Sequence, residues 1–226
     1  DYPSVGGGCY VVGNPDLDAE TSINKEIGVN YNNDAGWNAG ITYFHNDYKN
    51  RISSGLVPEG LAGTARYFQW YNVPEAVVSG LEGNLNIPLN DALMWNSNFT
   101  YMIESEDKRN GQPLSLVPEY TLNTGLDWQV RDNLLLTLSA THYGEIASPT
   151  VTATTGGAVD NPEPRDPYTL VNLGFKYDVN ETYRLSGGVN NVFDKRVLRE
   201  GSGNAAGANT FNEPGRSFYV ALSASF

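Results

Sequence analysis

The chain has 226 residues, a net charge of -12 and an apolar fraction of 40%. Such an acidic balance excludes a nucleic-acid-binding domain, whose footprint is a basic patch. The apolar residues are too scattered for a membrane helix, which needs roughly 18 or more in succession, and the lone Cys9 cannot form a disulfide within the chain.

The opening Asp1-Tyr2-Pro3-Ser4-Val5-Gly6-Gly7-Gly8 has neither the basic nor the apolar region of a signal peptide. It reads as the middle of a loop, with the export signal expected upstream. From there nine segments alternate apolar and polar with period 2, as strands do when successive side chains point to opposite faces. They are residues 22–32, 37–51, 67–89, 92–105, 120–130, 134–144, 168–179, 183–198 and 215–226. In the fourth, Leu93, Trp95, Phe99, Tyr101 and Ile103 form the apolar face. In the fifth, Leu122, Leu126, Trp128 and Val130 oppose Asn123, Asp127 and Gln129. The seventh sets Val171, Leu173, Phe175 and Tyr177 on one face, and the last sets Phe218, Val220, Leu222 and Phe226 against Ser223 and Ser225. Helical i, i+3, i+4 spacing is absent from all nine.

The connections alternate short and long. Residues 33–36, 90–91, 131–133 and 180–182 are tight, whereas 54–66, 106–119, 146–167 and 199–214 are long. A transmembrane β-barrel has this asymmetry, with short turns at the periplasmic rim and long loops outside. Aromatics gather near both ends of the segments. Tyr31, Trp37, Trp95, Trp128, Tyr177, Tyr183 and Phe226 lie on the turn side, and Tyr43, Tyr101, Tyr120, Tyr143 and Tyr168 on the loop side. Two such girdles are what the two bilayer interfaces select. The fold expected is therefore all-β, an antiparallel transmembrane barrel, with the apolar faces toward lipid and the polar faces toward the lumen. Nine is odd and bacterial barrels have even strand numbers, so further strands are expected elsewhere in the intact protein.

Three stretches resemble the TonB-dependent receptor family. They are Asn14-Pro15-Asp16-Leu17-Asp18-Ala19-Glu20-Thr21-Ser22-Ile23-Asn24-Lys25-Glu26-Ile27-Gly28, Asn190-Asn191-Val192-Phe193-Asp194-Lys195, and Glu213-Pro214-Gly215-Arg216-Ser217-Phe218-Tyr219 running on to Phe226. Within that family, Phe68-Gln69-Trp70-Tyr71-Asn72-Val73-Pro74-Glu75-Ala76-Val77-Val78-Ser79-Gly80-Leu81-Glu82-Gly83, Pro118-Glu119-Tyr120-Thr121-Leu122-Asn123, and Gly207-Ala208 onward into Phe211-Asn212-Glu213-Pro214-Gly215-Arg216 are similar to the ferric enterobactin receptors. The resemblance implies that residues 1–226 are the C-terminal part of the barrel, its last nine strands out of about 22 around a plug. The plug and its TonB box would lie outside this sequence. It implies TonB-dependent import of a ferric catecholate siderophore across the bacterial outer membrane, with iron carried only in the ligand and no resident cofactor. The implied partners are the TonB–ExbB–ExbD system acting through the plug, the barrel-assembly machinery, and lipopolysaccharide with outer-membrane lipid. It also implies a disulfide from Cys9 to a cysteine upstream; a free thiol is the alternative.

A ferric catecholate is an aromatic trianion, which Arg or Lys attracts by charge and on which guanidinium and aromatic surfaces stack. On the loop side this selects Tyr10, Arg66, Gln69 and Arg109 as siderophore-binding candidates. Solvated loop charges are the competing reading, because acids such as Glu106, Asp107, Glu145 and Glu200 share that side. Catalysis finds no support. His45 and His142 stand on separate strands, there is no Gly-x-Ser-x-Gly elbow, and no Cys/His cluster has metal-ligand spacing. The chain is expected not to be an enzyme. A receptor for another siderophore or nutrient, and a passive porin, are the alternatives within the same architecture.

Overall fold

A computed structural model describes residues 9–56, 66–114, 117–148, 150–151, 158, 164–197 and 213–226, with the backbone alone at 9–11, 54–56 and 66–68. Among these residues there is no helix. The strands are β1 (Cys9–Val12), β2 (Thr21–Asn32), β3 (Asn38–Leu56), β4 (Arg66–Asn90), β5 (Leu93–Asp107), β6 (Gln112–Pro113), β7 (Tyr120–Arg131), β8 (Leu134–Tyr143), β9 (Tyr168–Asp178), β10 (Tyr183–Asn190) and β11 (Ser217–Ala224). The nine longer ones form a single antiparallel meander in the order β11-β10-β9-β8-β7-β5-β4-β3-β2.

Two short strands were not foreseen. β6 folds back onto the end of β5. β1 pairs with the outer part of β4 in parallel, setting Cys9 opposite Arg66 and Val12 opposite Gln69. The sheet is therefore not wholly antiparallel. A third difference lies at the penultimate strand, expected to run to residue 198. It stops at Asn190 because Asn191 (φ 50°) and Asp194 (φ 52°) are left-handed, a conformation incompatible with a ladder and tolerated by Asn and Asp.

The tight turns carry their own chemistry. Asn33 accepts the Trp37 amide at 2.9 Å, with Gly36 left-handed at φ 83°. Asn90 accepts the Ala92 amide at 2.9 Å, and Asn180 accepts those of Thr182 and Tyr183 at 3.0 and 2.9 Å. An Asn side chain that bonds the backbone two to four residues on closes a turn without a long loop.

The register turns the sequence alternation into two unlike faces. On one, Trp95, Leu126, Leu138, Leu173, Val189 and Phe218 stand directly opposite one another across six strands. On the other, Asn30, Gly40, Asn84, Asn98, Asn123 and Thr141 form a comparable row. The expected apolar and polar sides are thus continuous surfaces. The Tyr43–Leu81–Tyr101–Tyr120 row lies on the apolar face toward the loops, and Trp128 marks its turn side.

This sheet has almost no interior. Among the described residues the buried apolar ones are Val73, Ala76, Val77, Ile87, Ile146 and Tyr168, while Phe218, Val220 and Leu222 are 75%, 74% and 67% exposed. An apolar surface this continuous is what lipid, rather than water, solvates. β4 has 25 residues, or roughly 80 Å of strand. Even at strong tilt it exceeds the hydrocarbon core of about 30 Å, so its loop-side half stands above the membrane.

Candidate functional site

The polar face is a wall of mutually bonded side chains. Asn84 donates to Asn38 at 2.8 Å, Asn123 to Asn98 at 2.9 Å, and Thr141 to Asn123 at 2.8 Å. Gly40 completes the row because a Cβ there would stand 2.6 Å from the side-chain oxygens of both Asn30 and Asn84. Such a row offers neutral donors and acceptors, and it suits a water-filled or domain-filled lumen. Glu26 and Glu82 lie on this face, and neither forms an ion pair among the described residues.

At the loop end, the stretch from Asn14 docks on the part of β4 that β5 has left. Asn14 donates to the Trp70 carbonyl at 3.0 Å and caps its own turn by accepting the Asp16 amide. Asn72 accepts the Asp18 amide at 2.8 Å and donates to the carbonyls of Asp18 and Asn50. Asn50 is left-handed, φ 53°, so one carboxamide fastens both the incoming segment and an irregular point of β3. Glu20 accepts the Ile52 amide at 2.8 Å. These bonds give the first family-like stretch a physical purpose: it seats the chain entering β2.

The same docking gathers three of the four candidate ligand residues. Tyr10 pairs with Tyr67 along the β1–β4 ladder, between Arg66 and Gln69. Gln69 is half-buried; the side chains of Cys9, Tyr10 and Arg66 lie outside the described residues, as does Glu200.

Arg109 stands apart, on a hairpin tip tied to β4 by the Lys108 amide donating to the Glu75 carbonyl at 3.1 Å. Its guanidinium is bidentate on Asp107, with Nε at 3.0 Å from Oδ1 and Nη2 at 2.5 Å from Oδ2. Asp107 is 7% exposed. The guanidinium hydrogen bond holds that carboxyl below the usual range, and the carboxylate in turn raises Arg109. The charge of Arg109 is thus already matched, although its side chain remains 42% exposed. Lys108 bonds Glu104 and Glu106, and chiefly through Glu104 it is pushed up to about 12.

The second and third family-like stretches lock together. Asn191, 5% exposed, donates to the carbonyls of Lys195 at 2.8 Å and Pro214 at 3.0 Å, and its oxygen accepts the Lys195 amide. Its own amide donates to Asn172 at 2.9 Å. Asp194 accepts the Arg216 amide at 2.8 Å, which lowers its pKa, and Arg216 donates to the Val192 carbonyl. A Cβ at Gly215 would displace the Arg196 guanidinium, the end of a flexible, half-exposed side chain. The motif ends β10 and aims the chain into β11.

Two aromatic placements were misjudged. Tyr143 and Tyr168 sit on the polar face, ring centroids 4.8 Å apart, and Tyr168 donates to Glu213 at 2.8 Å. They secure the end of the last long loop rather than the outer girdle. The two histidines lie on the apolar face near its loop-side rim. His45 hydrogen-bonds Asp47 at 2.9 Å, itself paired with Lys25, and His142 hydrogen-bonds Tyr120 at 3.0 Å and Thr169 at 2.8 Å.

The family model described as "TonB dependent receptor-like, beta-barrel" matches residues 1–192. The ferric enterobactin receptor PirA of Pseudomonas aeruginosa is 48% identical over 97% of this chain and 30% of its own length. The ferrienterobactin receptor of Escherichia coli K12 is 47% identical over 97% of the chain and 31% of its own. A solved structure of a variant of the Pseudomonas aeruginosa ferric enterobactin receptor PfeA in complex with enterobactin superposes with a TM-score of 0.81 at 45% identity, covering 96% of this chain and 33% of that one. The chain therefore spans about a third of the length of these relatives.

Proposed function

The chain belongs to the TonB-dependent receptor-like β-barrel family, and on that premise we propose that it forms the C-terminal wall of an outer-membrane receptor that imports a ferric catecholate siderophore of the enterobactin type. The observation that carries this reading is identity near one half with ferric enterobactin receptors, sustained over 97% of the chain. The geometry supports it: an apolar outer face for lipid, a polar, hydrogen-bonded inner wall, and long strands that raise the loops above the bilayer.

In this reading the chain supplies strands and loops only. Energy reaches the receptor from TonB–ExbB–ExbD through a plug encoded elsewhere in the intact protein. The barrel-assembly machinery inserts it, lipopolysaccharide surrounds its loop side, and iron enters only within the siderophore. The protein performs no catalysis and keeps no cofactor. Tyr10, Arg66 and Gln69 are the ligand-contacting residues of the β1–β4 ladder, Tyr10 and Gln69 at positions of one parity and Arg66 at the other. Arg109 contributes by stacking more than by net charge, because Asp107 already neutralises it.

The test is uptake of iron-labelled ferric enterobactin by iron-limited cells whose only catecholate receptor is the intact protein. Uptake is expected to require TonB and to fall several-fold with Arg66→Glu, where attraction for the trianion becomes repulsion. Arg109→Ala is expected to have the smaller effect. Full uptake in a TonB-deficient strain would contradict the receptor reading, and undiminished uptake with Arg66→Glu would remove Arg66 from the site.

A further inference from the structure

The loops that follow β5 and β8 are neighbours on the same rim. Their bases are joined by main chain, the Glu119 amide donating to the Glu145 carbonyl at 2.8 Å. Farther out the described connection between them is one side chain. The oxygen of Gln112 accepts the Thr150 amide at 2.7 Å, the Thr150 hydroxyl at 3.2 Å and the Val151 amide at 3.2 Å. Its nitrogen donates to the Asn110 carbonyl at 3.3 Å, and Asn110 accepts the Gln112 amide. The carboxamide is thus oriented by its own hairpin and grips the next loop with its oxygen. β6, which carries Gln112, pairs it with Asp107, the partner of Arg109.

We propose that Gln112 is a positioning residue that fixes the hairpin bearing Arg109 against the β8–β9 loop, so that the two loops meet the siderophore as one unit. The positioning role rests on the receptor reading; the latch itself does not. A base-level main-chain bond leaves the tips free to separate, whereas an oxygen holding three donors ties them. Removing it leaves two amides without their acceptor, and each such bond carries a severalfold preference for the closed arrangement.

Hydrogen exchange in the ligand-free intact receptor tests the latch. The amides of Thr150 and Val151 are expected to exchange about tenfold faster in Gln112→Leu and near the wild-type rate in Gln112→Glu, whose carboxylate accepts the same donors. Equal protection in wild type and Gln112→Leu would overturn the latch. Equilibrium binding of ferric enterobactin tests the positioning. Gln112→Leu and Thr150→Pro, which cut the same connection from opposite sides, should each weaken binding by about fivefold, and the double variant should be no weaker than either. Lost protection with unchanged affinity would leave a structural latch and overturn the positioning role. If the wild type fails to bind ferric enterobactin, the receptor reading falls with the positioning role, and the exchange result still decides the latch.

Discussion

Expressed alone and directed to the outer membrane, the 226-residue chain is expected to yield no discrete monomer whose gel mobility changes on heating, and to aggregate when detergent is withheld. The cause is geometric. β2 and β11 end the sheet, and every residue of both strands is exposed. Each presents a row of unpaired backbone donors and acceptors, which hydrocarbon does not tolerate and which in water templates association with other chains. Burial offers no compensation, since the apolar residues of the sheet face outward rather than into a core. In the intact receptor the remaining strands would cover both edges. A heat-modifiable monomer of the isolated chain would mean that the nine long strands close on themselves, and that the open-wall reading is wrong.

Leu173→Arg in the intact receptor is expected to cost roughly 2–4 kcal/mol of unfolding free energy in a lipid bilayer, the depth-dependent cost of a cation at the midplane of a barrel's lipid face. Leu173 sits midway along the apolar face of β9, between Thr169 and Tyr177, and is flanked by Leu138 and Val189. Leu126→Arg, two residues from Trp128 at the turn-side rim, is expected to cost less, because the arginine can reach the headgroups. Thr137→Arg, on the polar face opposite Asp127, should cost least of the three. The check is denaturant unfolding of the three variants in the same lipid. Equal costs at Leu173 and Thr137 would mean that the faces do not see different solvents.

The two faces were legible because period 2 is a local property, so Leu173, Asn123 and their neighbours could be assigned from nearest residues alone. What escaped was fixed by distant partners or by opposing local signals. Asn191-Val192-Phe193 reads as a continuing strand; only Asn172 and Pro214, 19 and 23 residues away, reveal that Asn191 ends it. Tyr143 and Tyr168 have girdle-like positions, yet strand parity turns them to the polar face, where Glu213 receives Tyr168. Cys9-Tyr10-Val11-Val12 has strand composition, but four residues beside a glycine run give little signal before β4 is there to pair with. Of the candidate residues, Tyr10, Arg66 and Gln69 share the β1–β4 ladder, a backbone placement no local pattern could give, with Arg66 at the opposite strand parity to Gln69; the Asp107–Arg109 pairing, two residues apart, could have been read from the sequence as a local ion pair.

Collision accessibility of spin labels in the intact receptor, reconstituted in lipid, tests the two-faced wall most directly. Labels at Leu138 and Leu173 should collide with oxygen dissolved in the hydrocarbon and be shielded from a water-soluble nickel chelate. Labels at Asn98 and Asn123 should be shielded from oxygen and from lipid-borne quenchers. The reverse order, with Leu173 open to the chelate and Asn123 in lipid, would contradict the outward apolar face and with it the barrel wall on which the receptor reading stands.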